Sequence, residues 1–126
     1  MQLAWRLELR LALQQMVAEP ELLTQMNRKE LLTRAKRGDV VMLDVRPQAE
    51  YDTAHLPFAR SMPLPELAQR LAELPRDVEI VAYCRGPFCL MSDEAVRLLR
   101  AHGFRARKTV DGVSEWRAAG LPLSTS

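Results

Sequence analysis

Two apolar patterns alternate along this chain and together lay out an order of elements. Val40-Val41-Met42-Leu43-Asp44-Val45 and Val78-Glu79-Ile80-Val81-Ala82-Tyr83 are short β-prone runs, as expected of strands covered on both faces. Elsewhere the apolar residues fall at helical spacing. Leu64, Leu67, Leu71 and Leu74 form one such set, with Pro65 near its start and Pro75 just beyond its end, which predicts a helix over 64–74. Met91, Ala95, Leu98 and Leu99 predict a helix from about 90 to 101 that Gly103 stops. Asn27 with Glu30 three residues on matches a capping box, and Gly38 after Arg34-Ala35-Lys36-Arg37 marks the far end of that helix. Arg105 to Val110 reads as a further strand, and Val113 to Ala119 as a last helix ended by Gly120 and Pro122. A long loop is expected from Pro47 through Pro57 to Pro63.

Residues 2–18 also read as a helix, with no Gly or Pro before Pro20. Its apolar positions, Leu3, Leu7, Leu9, Leu11, Leu13, Met16 and Val17, cover more than one face, so it calls for a partner: this domain, a second copy in a dimer, or an upstream linker. The expected division is therefore 1–26 as N-terminal helix and linker and 27–126 as one α/β domain.

Alternating strands and helices imply a parallel sheet with helices on both faces, and ligands of such sheets sit outside the carboxyl ends of the strands. Cys84 falls at one of those ends, where Tyr83-Cys84-Arg85-Gly86-Pro87-Phe88-Cys89-Leu90 passes from strand to helix. Free N–H groups and the positive end of a helix dipole lower a thiol pKa and favour thiolate. The alternative is an inert buried cysteine, which is common for this residue type.

Composition narrows the setting. The 126 residues suffice for one core, and 48% hydrophobic with 27% charged residues is globular. A net charge of +2 is too small to argue for nucleic acid. Arg97, Arg100, Arg105, Arg107 and Lys108 cluster after the cysteine loop, either as a field for small anions or as a solvated face. Two cysteines make no disulfide scaffold and suit a reducing cytosol. Charges interrupt the first ten residues, so neither an export signal nor a membrane span is expected, and the protein reads as cytoplasmic. No ligand spacing for a metal is found, and no cofactor is expected.

Several segments taken in order resemble the rhodanese-like domains. They are Leu43-Asp44-Val45-Arg46 with Glu50-Tyr51 and His55-Leu56-Pro57; then Tyr83-Cys84-Arg85-Gly86; then His102-Gly103-Phe104 with Asp111-Gly112-Val113-Ser114-Glu115-Trp116-Arg117-Ala118-Ala119-Gly120-Leu121-Pro122. The resemblance covers about residues 27–123 and implies a five-stranded parallel sheet flanked by helices. It also implies sulfur transfer through a persulfide on Cys84, from an anionic donor such as thiosulfate to cyanide or a thiol. Main-chain amides from Arg85 through Gly86, Pro87, Phe88 and Cys89 to Leu90 are expected to cradle the persulfide. Arg85 is a candidate to hold the donor or to point into water. Asp44, Arg46 and Glu50 read as supporting residues, with an Arg46–Glu50 pair bracing the loop. His55 reads as a packed or hydrogen-bonded loop residue.

The chain departs from the family pattern at several points. Phe58 and Asp111 stand where the family usually has glycine, Cys89 where many members carry arginine or another polar residue, and the stretch from Cys84 to Gly103 is one residue longer than usual. The Cys-Arg-Gly-Pro-aromatic-Cys run is similar to rhodanese domains fused behind arsenic-repressor-type (ArsR-like) winged-helix regulators, in which an amphipathic linker helix precedes the domain. Three functions are thus in play. One is a sulfurtransferase. Another is a redox or persulfide sensor in which Cys89 resolves Cys84, against the plainer reading of Cys89 as an apolar filler at the helix base. The last is an arsenate reductase or phosphatase-like enzyme, disfavoured because Cys89-Leu90-Met91 offers no arginine clamp at the loop's far end.

Overall fold

The structure, a computed structural model, describes residues 22–86 and 89–125. The expected helix over 2–18, with the dimer contact it suggested, and the loop positions Pro87 and Phe88 lie outside the described residues.

Helix α1, Arg28–Arg37, starts where Asn27 accepts a hydrogen bond from the Glu30 amide (2.8 Å) and stops at Gly38, which is left-handed at φ 83°. Strand β1, Val40–Asp44, follows directly. After it come a short helix α2, Gln48–Thr53, and a two-residue strand β2, Arg60–Ser61. Helix α3, Leu64–Leu67, and a 3-10 turn, Leu71–Glu73, lead to strand β3, Glu79–Tyr83. Helix α4, Met91–Ala101, strand β4, Ala106–Lys108, and helix α5, Val113–Ala118, complete the chain. All strand pairings are parallel and the order is β2-β1-β3-β4. Four strands are described rather than five. Beyond β4, among the described residues, the edge carries one parallel bridge, Leu23 to Lys108, with the Thr24 amide bonded to the Lys108 carbonyl (2.8 Å).

The sheet is covered on both sides, and the period of two along each strand assigns the faces. Val41, Leu43 and Val45 of the first strand region, with Ile80, Ala82 and Cys84 of the third, enter one core with Leu67, Val96 and Leu99. Val40, Met42, Val81 and Tyr83 enter the other, with Leu31 and Trp116. Cys84 thus faces the α3–α4 side.

Two segments differ from expectation. The loop over 47–63 holds α2 and β2. Neither carries a readable period, because α2 buries no residue fully and β2 is too short to show alternation. The helix over 64–74 is broken into α3 and the 3-10 turn. Arg70 leaves the helical region at φ −113°, ψ 12°, and Leu74, preceding Pro75, is extended. The four leucines still serve one core: Leu67 and Leu74 are buried, with Leu64 and Leu71 packed against them.

Phe58 is the one non-glycine residue with positive φ (66°) among the described residues, and it is 54% exposed. A left-handed backbone at a residue with a Cβ is strained by about 1 kcal/mol, and little burial offsets it here. Phe58→Gly is therefore expected to raise stability by about 0.5–1 kcal/mol in urea unfolding; a loss of stability would show that the ring, not the backbone, dominates.

Candidate active site

β3 ends at Tyr83, whose carbonyl accepts from the Val45 amide (3.2 Å), and Cys84 is the next residue. The chain then turns and enters α4 at Met91. Cys84 is only 2% exposed. Its sulfur lies 3.4 Å from the Cys89 carbonyl oxygen, to which the thiol donates, and 3.6 Å from the Ser92 hydroxyl. Ser92 sits in the first turn of α4, where amides have no helical partner, and its amide and hydroxyl both favour the thiolate.

The expected cradle of loop amides includes Pro87 and Phe88, which lie outside the described residues. The Cys89 amide bonds the Gly86 carbonyl (3.2 Å), and the sulfur faces the Cys89 carbonyl instead. The donors that favour charge come from Ser92. Burial, the largest influence, pushes the Cys84 thiol above the ordinary cysteine value, and the side-chain hydrogen bond with Cys89 adds to it; Ser92 opposes both. This reverses the expected lowering, since desolvation of the sulfur outweighs the helix terminus. Both cysteines are free thiols, and Cys89 is half-buried against the same core as Cys84.

Loading an anionic sulfur on Cys84 requires the thiolate, so its rate should still be climbing with pH above the range in which an ordinary cysteine ionises. Ser92→Ala removes a donor to the charged form, and loading at neutral pH should slow by roughly threefold to tenfold. Iodoacetamide alkylation of Cys84 across pH reads the same shift, and an unchanged profile would remove Ser92 from the site.

The charged residues pair differently from expectation. Arg46 does not pair with Glu50. Its Nε and Nη2 bond the Asp44 carboxylate (3.0 and 2.7 Å), and Nη2 also bonds the Ala54 carbonyl (2.7 Å). Tyr83 donates its hydroxyl to the same carboxylate (2.8 Å) and accepts from the Leu56 amide (3.1 Å). All three side chains are buried, so burial and the Asp44 charge push the Tyr83 hydroxyl upward, and it stays protonated. Burial disfavours the Arg46 charge, but the Asp44 hydrogen bond and charge outweigh it. This network ties β1, β3 and the segment after α2 together beneath the cysteine loop; it is a brace.

Glu50 belongs to Arg85. The guanidinium donates Nε and Nη2 to the two carboxylate oxygens (2.9 and 2.7 Å), a fork of two parallel bonds. That bond holds the Glu50 carboxyl below its usual range and raises Arg85. Arg85 thereby points across the mouth of the site at α2. A cavity of about 490 Å³ opens there, lined by Arg46, Glu50, Thr53, Arg85, Ser114 and Arg117 among others. A larger cleft of about 690 Å³ runs along the β4 edge past Thr24 and Arg107, and neither cavity is lined by a cysteine. The basic residues after the loop are dispersed: Lys108 is buried against Asp93, Arg105 donates to the Asp77 carbonyl (2.9 Å), and Arg107 to the Leu23 carbonyl (3.2 Å). His55 stacks on Tyr51 at 3.7 Å and bonds its carbonyl, a packed residue.

Three residues not singled out as site residues from the sequence complete the site, two of them within the segment 111–122 that resembles the family. Ser92 is one. Gly112 is another: its α-carbon abuts the loop so closely that a Cβ would lie 2.5 Å from the Cys84 carbonyl and 2.6 Å from that of Arg85. Glu115 accepts from the Gly112 amide (2.9 Å) and faces Gly86. At the other position where glycine is usual, Asp111 bonds Arg28 (2.7 Å).

A family model described as rhodanese-like domain matches residues 27–119. The chain belongs to the rhodanese-like family. This rhodanese-like domain is 51% identical over 96 residues to the HTH-type transcriptional regulator Rv0324 of Mycobacterium tuberculosis, covering 76% of the chain but 42% of that protein. The chain thus spans less than half the length of that regulator. It is 31% identical over 90 residues to a protein named sulfurtransferase from Allochromatium vinosum, covering 71% of the chain and 82% of that relative. Among solved structures, a Lactobacillus plantarum protein shares the fold at a TM-score of 0.75 and 24% identity, covering 89% of this chain and 95% of its own. The rhodanese-like domain of an Anabaena protein, solved by NMR, has a TM-score of 0.63 at 28% identity, covering 76% of this chain and 74% of that one. Among the described residues no helix of this domain is long and apolar enough to cross a membrane.

Proposed function

We propose that this domain is a sulfurtransferase of the thiosulfate:cyanide type that carries sulfane sulfur as a persulfide on Cys84 in the cytoplasm. The observation that carries this reading is the placement of Cys84 at the end of β3, with the Ser92 amide and hydroxyl beside its sulfur. Family membership and the sulfurtransferase relative support it. The Cys84 thiolate attacks the outer sulfur of thiosulfate, the S–S bond breaks, and sulfite leaves with the electron pair. The persulfide anion then has Ser92 as donor. Cyanide, or a thiolate, attacks the outer sulfur and carries it off, returning Cys84 as thiolate. Arg85 is forked to Glu50 at the mouth, which compensates its charge, so it is assigned no part in holding the donor.

The test is the intact mass of the chain after thiosulfate treatment. A gain of one sulfur, mapped to Cys84 and removed by cyanide as thiocyanate, is expected; an unchanged mass overturns the proposal.

A sensing role is the second reading, favoured by one observation: Cys89 lies beside Cys84 in a chain half identical to a segment of a transcriptional regulator. There the same persulfide would report sulfur to an attached domain. Oxyanion chemistry of the phosphatase or arsenate reductase kind has less support, because Arg85, the loop's arginine, is bound to Glu50.

A further inference from the structure

Cys89 is the second free thiol at this loop, and the function just proposed does not use it. Its carbonyl is 3.4 Å from the Cys84 sulfur, and both thiols are free. Cys84 is 2% exposed, whereas Cys89 is half-buried at the rim of the same core. A thiol arriving from solvent therefore meets only the outer sulfur of a Cys84 persulfide. The inner sulfur is reachable from within the loop, by Cys89.

We infer that Cys89 discharges the Cys84 persulfide internally, releasing hydrogen sulfide and leaving a Cys84–Cys89 disulfide. This rests on the sulfur-carrier reading and names what discharges the carrier: the domain's own second thiol. The Cys89 sulfur attacks the inner sulfur, Cys84 Sγ, and a bond forms between the two cysteines. The bond from Sγ to the outer sulfur breaks, and that sulfur leaves with the electron pair. It takes the proton from Cys89 and departs as HS⁻. The sulfane sulfur is reduced by two electrons and the two thiols are oxidised by two, so no other oxidant enters. A small thiol or dithiol then reduces the disulfide and resets the pair.

The short separation along the chain and the approach of the Cys89 backbone to the Cys84 sulfur make the internal route competitive. The two residues share one tight loop, and a disulfide needs their Cβ atoms within about 4.5 Å. The Gly86–Cys89 backbone bond already folds the chain back on itself between them. Attack within such a loop has the advantage of high effective concentration over any dilute acceptor. The outcome differs from ordinary transfer: sulfur leaves as sulfide rather than on an acceptor, and the loop records the event as a disulfide.

The experiment loads the 126-residue chain with thiosulfate, removes the excess, and follows sulfide release and intact mass with no added thiol. The wild type is expected to gain one sulfur, then lose it as sulfide and finish two hydrogens lighter than the starting protein, with a Cys84–Cys89 cross-linked peptide after digestion. Cys89→Ser and Cys89→Ala, each checked for loading by mass, are expected to hold the persulfide and to release sulfide at least about tenfold more slowly. If the loaded wild type and both variants release sulfide at one rate, the inference is overturned while the sulfur-carrier reading stands. If Cys84 gains no sulfur in the wild type, the carrier reading fails and the internal discharge fails with it.

Discussion

Replacing Cys84 by serine is expected to abolish sulfur uptake: no mass gain with thiosulfate, and cyanide turnover lowered by at least about a thousandfold, on the order of 4 kcal/mol of transition-state free energy. A hydroxyl in the same place remains protonated, and an S–S bond cannot form on oxygen. The substitution removes one sulfur from a well-packed position, so the fold should survive with a change of about 1 kcal/mol or less. The separation of the two effects matters. A variant that unfolds would also stop turning over, so urea unfolding should accompany the mass measurement. Equal turnover by Cys84→Ser and wild type would end the sulfur-carrier reading.

Gly112→Ala is expected to have the largest effect of any glycine-to-alanine change in this chain. A Cβ there would sit 2.5 Å from the Cys84 carbonyl and 2.6 Å from the Arg85 carbonyl. Both contacts are main chain, so neither can swing away, and relief requires moving the cysteine loop off α5. The requirement is one of space, because the backbone at Gly112 (φ −109°) suits any residue. Overpacking of this kind destabilises by about 2–3 kcal/mol, and loading of Cys84 should fall with it. Gly38→Ala serves as the contrast. Its backbone is left-handed at φ 83° but nothing lies within 4 Å of the new methyl. It should lose about 1 kcal/mol and leave sulfur loading unchanged. Normal loading and stability in Gly112→Ala would mean that α5 does not shape the loop.

Much of the scaffold was legible because it is written in near-neighbour chemistry. Asn27 and Gly38 bound α1 through bonds spanning a few residues. The runs at 40–44 and 79–83 are apolar on both faces, and each face meets its own core. Cys84 could be placed at a strand end for the same reason. The helix over 64–74 shows where such reading stops: the leucine period reported the buried side correctly, while the α3 break and the extended Leu74 before Pro75 decided the element.

The pairings were not legible in the same way. Arg46 and Glu50 are close in sequence and opposite in charge, yet Arg46 turns inward to Asp44 while Glu50 takes Arg85, 35 residues away. Tyr83 reaches Asp44 across 39 residues. Ser92 had no motif to mark it. It matters because the first turn of α4 points unpaired donors at the sulfur.

By itself the chain's order of residues determined the alternation of strands and helices, the parallel sheet that follows from it, the family, and the strand end that carries the thiol. These rest on periodicity, caps and turns, whose energies are set by residues within about one turn or one pleat of each other. Only the folded arrangement decided the state of that thiol. The packing of α4 and α5 around the loop buries Cys84, turns a carbonyl and a serine toward it, brings Cys89 alongside, and presses Gly112 against its backbone. A pKa depends on every atom near the group, whatever its distance along the chain, so the direction of the Cys84 shift followed from burial rather than from the helix end that the residue order announced.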